Sequence, residues 1–247
     1  KYSTIFANSI KKKIRPMKIS ITKILVIVLS INSSLFSQQI YTDRAQQAFI
    51  DLSNRKADSN RKDTNVKGSQ FFNETFVKGS IDYFGREVNE DIFVRYNAFK
   101  DEIEMSQSES DPNEVFILIK SKDVIPTFNG KTYNYLAHRL DDSRASIGYL
   151  NIVFEGEEYI LFSKKRKIFM DGVKARTSFE KDFPPRFIDT EDYLISFNNG
   201  TPVTIKLSKK GIIDYFGKEI NSYIRKNRLK ASELTSLIQI IKYSESL

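Results

Sequence analysis

Apolar side chains recur at every second position across much of residues 71–207, and turn residues interrupt this alternation at short intervals. A period of two is typical of β-strands that have one buried face. From residue 208 the spacing becomes helical, with apolar faces made by Ile213, Phe216, Ile220, Tyr223 and Ile224 and by Leu234, Leu237, Ile238 and Ile241. The sequence therefore predicts a mainly β chain with terminal helices (α+β): an antiparallel curved sheet or incomplete barrel with C-terminal helices packed on it.

Two of the predicted hairpins turn through two-residue loops, at Asn129-Gly130 and at Glu155-Gly156. Asn-Gly suits a type I′ turn because both central residues of that turn need positive φ. With these loops, the apolar side chains of the paired strands share one face. The predicted pairs are Pro126 with Tyr133, Val124 with Tyr135, Ile152 with Tyr159 and Leu150 with Leu161.

A third hairpin turns at residues 198–200 and fits a three-residue loop better. A two-residue loop would set Ile195 opposite Thr204, whereas a three-residue loop with a left-handed Gly200 sets Ile195 opposite Val203. A slip of one residue moves every side chain of a strand to the other face of the sheet. The sequence therefore predicts the three-residue loop.

Residues 79–89 and 211–221 are nearly the same phrase, identical at eight of eleven positions. The first copy predicts a hairpin, with Ile81 opposite Val88, whereas the second copy lies in the helical stripe. The similarity stops at the edges of the phrase, which favours chance similarity over an eroded duplication. Gly217 is then expected within or between helices, where alanine would cost little.

The N-terminal residues have the pattern of a secretory signal peptide. Residues 17–37 combine lysines, a short apolar run and small polar residues, and cleavage is expected after Ser37. Residues 1–16 are then expected to be an upstream extension. The run is shorter than the roughly 20 apolar residues of a membrane-spanning helix. An uncleaved anchor is the alternative, and the absence of cysteine excludes a lipoprotein anchor.

Removal of this segment changes the charge of the chain. Residues 1–37 carry seven positive charges and no acidic residue, so the formal net charge falls from +8 to +1. A nearly neutral chain lacks the basic excess that binding to nucleic acid requires. The remaining residues divide into a short helix with a linker (38–70), an antiparallel β domain (71–207) and C-terminal helices (208–247). The helix is predicted over residues 42–56.

The residue types for common catalytic and metal sites are scarce. The chain has no cysteine and a single histidine, His138, so no cofactor or metal site is predicted. Carboxylates cluster near Glu102 and near Glu157, where an exposed strand face and a hairpin turn explain them better than glycoside hydrolysis does. The basic run at residues 164–167 is read as a solvated strand edge that discourages sheet pairing. No catalytic residue is therefore predicted.

The segment RYNAFKDEIEM, at residues 95–105, carries a resemblance. With FVKG at 76–79 and the helical C-terminal segment, it resembles a group of exported Bacteroidetes proteins of unknown function. The resemblance implies an exported protein with a β domain and a helical tail. In this segment Arg95, Asn97 and Asp101 are the candidate ligand or partner contacts. An Arg95–Asp101 ion pair that braces the turn is the structural alternative.

These features favour an exported, non-catalytic protein of the periplasm or outer membrane of a Gram-negative bacterium. It is expected to bind another protein or an envelope component, and to have no transmembrane segment after signal cleavage. A carrier that holds an apolar ligand between the sheet and the helices is the alternative function. A carboxylate-dependent hydrolase is the third candidate function. Whether the protein is an enzyme is therefore left open.

Overall fold

The computed structural model describes residues 47, 50–57, 66–109, 114–140, 145–177, 179 and 181–247. The predicted signal peptide and part of the predicted first helix, at residues 42–46, 48 and 49, lie outside these residues. The strands are β1 (Ser53–Lys56), β2 (Val77–Tyr83), β3 (Arg86–Asn97), β4 (Glu102–Ser106), β5 (Phe116–Leu118), β6 (Val124–Phe128), β7 (Lys131–His138), β8 (Ser146–Glu155), β9 (Tyr159–Met170), β10 (Arg186–Phe197) and β11 (Val203–Thr204). The helices are α1 (Lys209–Phe216), α2 (Ile220–Lys226) and α3 (Leu234–Ser244).

The strands of the described residues form one open sheet in the order β1-β5-β4-β3-β2-β6-β7-β8-β9-β10-β11. Every pair of neighbouring strands is antiparallel. Strands β2–β5 and β6–β11 are two meanders, joined by the pairing of β2 with β6. The predicted fold class, a mainly antiparallel open sheet with C-terminal helices, is confirmed.

The sheet curves until β9 reaches β3, although four strands separate them in the sheet order. Lys167 N donates a hydrogen bond to the carbonyl oxygen of Ala98 at 3.1 Å. The hydroxyl of Tyr96 lies 3.3 Å from the carbonyl oxygen of Lys165. These contacts cross the concave side of the sheet, and they give it the shape of an incomplete barrel.

Two main groups of buried side chains stabilise the sheet and the helices packed on it. The first fills the concave side between β2, β3, β4, β6 and β8, and it includes Ile81, Ile92, Val94, Tyr96, Ile103, Met105 and Tyr149. The second lies between the sheet and the three helices, and it includes Leu161, Ile195, Ile212, Ile224, Leu237 and Ile240. None of the helices in the part of the chain that the structure describes is long and apolar enough to cross a membrane.

Two of the predicted turns form as the sequence indicates. Asn129 and Gly130 have φ values of 52° and 66°, and Phe128 pairs with Lys131 across a two-residue loop. In the first copy of the repeated phrase, Ile81 pairs with Val88. Both of these predictions are confirmed, because short loops with positive φ are fixed by local sequence.

The turn at residues 198–200 has the predicted register with a different backbone. Ile195 pairs with Val203, which confirms the three-residue loop. The left-handed residues are Asn198 and Asn199, with φ of 46° and 57°, so the expectation of a left-handed Gly200 is wrong. Asparagine tolerates this region better than most residues, and two asparagines here supply the turn.

The register predicted around Glu155-Gly156 is wrong. Ile152 pairs with Phe162 instead of Tyr159, and Phe154 pairs with Leu161. An irregularity between residues 152 and 154 shifts the register, as an extra residue in one strand of a pair does. The longer turn is held by Glu245, whose carboxylate accepts hydrogen bonds from the backbone N–H groups of Glu158 and Tyr159.

The helix predicted over residues 42–56 is wrong at its end. Residues 50–52 are helical, but Ser53–Lys56 is strand β1, which pairs with β5 at the edge of the sheet. Strand pairing in the fold overrides the weak local helical pattern. The predicted helix residues Ala45, Ala48 and Phe49 lie outside the described residues.

The second copy of the repeated phrase is helical as predicted, and Gly217 lies between α1 and α2. Gly217 has φ 96° and ψ 170°, and its N–H bonds the carbonyl oxygen of Ile213. Only glycine readily adopts this backbone conformation. The expectation that alanine costs little at Gly217 is therefore wrong.

Candidate functional site

The three candidate residues near the β3–β4 turn lie on two faces of the sheet. Arg95 and Asn97 are two positions apart on β3, so their side chains share one face. Asp101 lies on the other face, because its carboxylate accepts a hydrogen bond of 2.6 Å from the Tyr96 hydroxyl. The predicted Arg95–Asp101 pair is therefore not formed.

Arg95 instead belongs to a buried ion pair with Glu104. Its guanidinium donates to one Glu104 oxygen at 2.7 and 2.8 Å, and to the carbonyl oxygen of Glu74 at 2.8 Å. Asn97 donates to the second Glu104 oxygen at 3.0 Å, and Glu104 is only 1% exposed. The guanidinium also lies over the rings of Phe71 and Phe76, at 3.9 and 4.2 Å from their centroids. Arg95 thus holds the segment before β2 against β3.

Asp101 belongs to a separate cluster around Lys164. The Lys164 ammonium lies 3.0 Å from Asp101 and donates to the carbonyl oxygen of Tyr149 at 3.2 Å. Burial, followed by the Asp101 charge, raises the pKa of Tyr96 well above its ordinary value. Asp101 has φ 53°, a left-handed turn conformation that directs the chain into β4. This cluster ties the β3–β4 turn to β8 and β9.

A cavity of about 230 Å³ opens beside the segment that Arg95 holds. Its walls come from that segment, from β2 and β3, from the β6–β7 hairpin and from β9. The lining residues are Phe72, Asn73, Thr75, Val77, Val94, Arg95, Tyr96, Phe128, Asn129, Lys131, Tyr133 and Lys165. The cavity therefore depends on the approach of β9 to β3.

The charged side chains that the structure describes in the cavity lining are all cationic. Among the described residues, the lining contains Arg95, Lys131 and Lys165 and no carboxylate. Glu104 balances the charge of Arg95, whereas Lys165 lies 3.9 Å from Glu191. Burial, followed by the charge of Lys165, lowers the pKa of Lys131. The cavity therefore carries an excess of positive charge.

Aromatic rings form the apolar wall of the cavity. Phe128 and Tyr133 are stacked, with centroids 4.7 Å apart and an interplanar angle of 11°, and Tyr96 lies 5.5 Å from Tyr133. Burial raises the pKa of Tyr133 to about 12, so its hydroxyl is neutral at physiological pH. On the opposite side the Lys165 ammonium lies 5.2 Å from the centre of the Phe72 ring. The site thus places aromatic side chains next to ammonium groups.

His138 is a buried, bonded side chain at the end of β7. Its Nδ1 lies 3.0 Å from the carbonyl oxygen of Leu136, and its Nε2 lies 3.2 Å from the hydroxyl of Ser146. Burial lowers the pKa of His138, which favours a neutral ring that donates through Nδ1 and accepts through Nε2. The carboxylates nearest to His138 in the sequence, Asp141 and Asp142, lie outside the described residues.

The carboxylates near Glu102 are held by cations, and the exposed strand face predicted for them is wrong, because Glu104 is buried and Glu102 is half-buried. Glu102 pairs with Arg55, Asp101 with Lys164 and Glu104 with Arg95. Glu155, Glu157 and Glu158 are exposed at the β8–β9 turn, as predicted. Within the described ranges, no three His, Cys, Asp or Glu side chains are grouped so that they could hold a metal ion.

The basic run at residues 164–167 is not the solvated edge that the sequence predicts. Its side chains are largely buried or half-buried, and each pairs with a carboxylate. Three of these partners lie on β10, at Asp189, Glu191 and Asp192. An acidic run that follows a basic run at hairpin spacing was the missed signal, because antiparallel pairing places such runs opposite each other.

Of the residues that line the cavity, only Arg95 is among the candidate residues that the sequence predicts. Lys131 and Tyr133 follow the Asn129-Gly130 turn that the sequence identifies, so a cation and a ring beside this hairpin could have been noted. Comparison of the chain with protein-family models, with curated proteins and with solved structures gives no match. The cavity is therefore the candidate site on geometry alone.

Proposed function

We propose that this chain is an exported, non-catalytic binding protein of the cell envelope, and that the cavity holds a small group of an envelope component. The signal-peptide pattern of residues 17–37 supports export to the periplasm or the outer membrane. The observation that carries the binding function is the cavity beside β3. Rings, amides and ammonium groups converge there, as they do in ligand sites.

The size of the cavity limits what it holds. Pockets for drug-sized ligands measure about 300–1,000 Å³, whereas this cavity measures about 230 Å³. It accommodates one ring or one head group and not a long acyl chain. This favours recognition of part of a larger component over the alternative function of an apolar carrier. The cavity also lies beside β3 and the β6–β7 hairpin, away from the helices.

Native mass spectrometry of the protein from its own envelope fraction tests the binding function. We expect a bound component that is lost in Val77→Phe, because this substitution projects a ring into the cavity. Ile147→Phe places the same ring at an exposed position on β8, outside the cavity, and should leave the complex intact. Equal loss or equal retention of the component in both variants would contradict binding in the cavity.

Intact-mass measurement tests export. The mature chain should begin near Gln38, because cleavage is expected after Ser37. A mature chain that retains the apolar run at residues 24–31 would support the uncleaved anchor instead.

A second candidate function is attachment to a partner protein through the end of the β9–β10 hairpin. Six of the twelve large apolar side chains that the described residues leave exposed lie within residues 168–183. Phe179 is 99% exposed, and Val173 and Phe183 are more than half exposed. Grouped apolar side chains at a surface are typical of interaction sites, whereas single ones are ordinary.

Crosslinking in the native periplasm tests this second function. The double variant Phe179→Ser/Phe183→Ser should lose a crosslinked partner that the wild-type protein retains. Ile147→Ser removes an exposed apolar side chain from β8 and is the matched control. Retention of the same partner by the double variant would exclude docking through the hairpin end.

A further inference from the structure

The lysines of the cavity are paired with carboxylates less completely than the neighbouring cations of β9 are. Lys164, Arg166 and Lys167 each lie within hydrogen-bond distance of a carboxylate. Among the described residues, no carboxylate forms a salt bridge with Lys131, and that of Lys165 with Glu191 measures 3.9 Å. Glu191 also accepts a hydrogen bond of 2.7 Å from the Ser163 hydroxyl, so its charge is shared. One negative charge faces two ammonium groups.

Two ammonium groups in a partly buried site repel each other, and burial adds a cost for each charged form. The lowered pKa of Lys131 has both causes. An anion placed between Lys131 and Lys165 would relieve both, because charge-assisted hydrogen bonds replace the lost hydration. The positive charge of the cavity therefore matches a ligand that carries a carboxylate or a phosphate.

The remaining lining residues indicate what carries that anion. Phe128 and Tyr133 line the cavity with aromatic side chains, and the apolar C–H groups of a sugar ring can pack against such side chains. Asn73, Thr75 and Asn129 also line the cavity, and their amides and hydroxyl can bond sugar hydroxyls. An aromatic ligand would pack on the rings but would make no hydrogen bonds with these polar groups.

We propose that the cavity binds one acidic sugar unit, whose ring packs on the aromatic wall and whose carboxylate or phosphate lies between Lys131 and Lys165. This inference rests on the proposed binding function and names the ligand class of the same site. A uronic acid and a sugar phosphate fit this site equally well, since both join a hydroxylated ring to an anion.

Nuclear magnetic resonance titration of the whole mature protein tests the ligand class. The probes are glucuronate, glucose 6-phosphate, neutral glucose and inorganic phosphate. We expect an acidic sugar to shift signals of the cavity residues, with an affinity about tenfold or more above that of glucose. The comparison of glucuronate with glucose 6-phosphate identifies which anion the site prefers, and inorganic phosphate measures the part played by charge alone.

Two variants and a matched control complete the test. Lys131→Gln and Lys165→Gln should each weaken binding of the acidic sugar about tenfold or more, and should weaken binding of glucose by a smaller factor. Lys122→Gln removes the same charge at an exposed position outside the cavity and should have no effect.

The outcomes separate the two proposals. If glucose binds as tightly as the acidic sugars, and both lysine variants bind normally, the acidic class is overturned while the cavity remains a binding site. If no probe shifts the cavity signals, or if inorganic phosphate binds as tightly as glucose 6-phosphate, the acidic-sugar inference is overturned. Retention of the envelope component by Val77→Phe would instead remove the binding function itself.

Discussion

Alanine substitutions at Gly85 and Gly217 compare two backbone conformations that share the local sequence DYFG. Gly85 has φ 78° in the β2–β3 turn, whereas Gly217 has φ 96° and ψ 170° at the end of α1. A Cβ atom at Gly85 would meet no other atom within 4 Å, so the cost there comes from the backbone alone. At Gly217 the nearest group is the exposed Glu219 side chain, which can move aside.

The two costs differ because the two backbone regions differ. Alanine in the left-handed region costs about 1–2 kcal/mol relative to the ordinary helical region, and glycine does not incur this cost. The conformation of Gly217 lies near the region that only glycine readily adopts, where strain reaches about 1–3 kcal/mol. We therefore expect the free energy of unfolding to fall by about 1 kcal/mol in Gly85→Ala and by about 2–3 kcal/mol in Gly217→Ala.

Asparagine variants separate backbone strain from other effects. Asparagine tolerates the left-handed region, so Gly85→Asn should cost only a few tenths of a kcal/mol. Gly217→Asn should cost as much as Gly217→Ala. Urea unfolding followed by circular dichroism measures all four variants, since the chain has no tryptophan to report by fluorescence. Equal costs for the two alanine variants, or rescue of Gly217 by asparagine, would refute this reasoning.

Three further predictions concern the charged and aromatic groups. Arg95→Ala should lower the free energy of unfolding by about 3–5 kcal/mol, because it leaves the buried Glu104 carboxylate without its cation. Urea melts measure this free energy, and the control Lys230→Ala, at an exposed position, should change it by less than about 0.5 kcal/mol. Burial raises the pKa of Tyr133 to about 12, so the contribution of its neutral hydroxyl to stability is fully present below pH 10. Between about pH 10 and 12 the free energy of unfolding should fall by roughly 3 kcal/mol, and a pH titration of unfolding should show a smaller fall in Tyr133→Phe. The affinity of the cavity for an anion should fall as pH rises through the pKa of Lys131, which lies below the ordinary lysine value of 10.5. Lys131→Gln should remove this pH dependence if the lysine contacts the anion.

The hairpins could be predicted from the sequence because their determinants are local. Asn129-Gly130 and the asparagines before Gly200 fix loop length, and apolar alternation then fixes the register. The β8–β9 register was missed because the turn is longer than two residues and is held by a residue far along the chain, Glu245. Strand β1 was missed because its partner, β5, lies about sixty residues further along the chain.

The site could not be predicted from the sequence because it depends on curvature. Lys165 and Tyr96 belong to strands with four others between them, and no local pattern reports how far a sheet bends. Arg95 was identified as a candidate, but its partner was assigned by nearness in sequence. Alternation along β3 and β4 places Glu104 directly opposite Arg95, and that register would have given the pair.

The order of the strands also has a consequence for the time course of folding. Within each of the two meanders every strand pairs with its neighbour in sequence, so these contacts close short loops and form early. The pairing of β2 with β6 joins residues more than forty positions apart, and the meeting of β9 with β3 spans about seventy. Longer closures cost more chain entropy and come later. The cavity beside β3 should therefore be among the last parts of the molecule to assemble, after both meanders have formed.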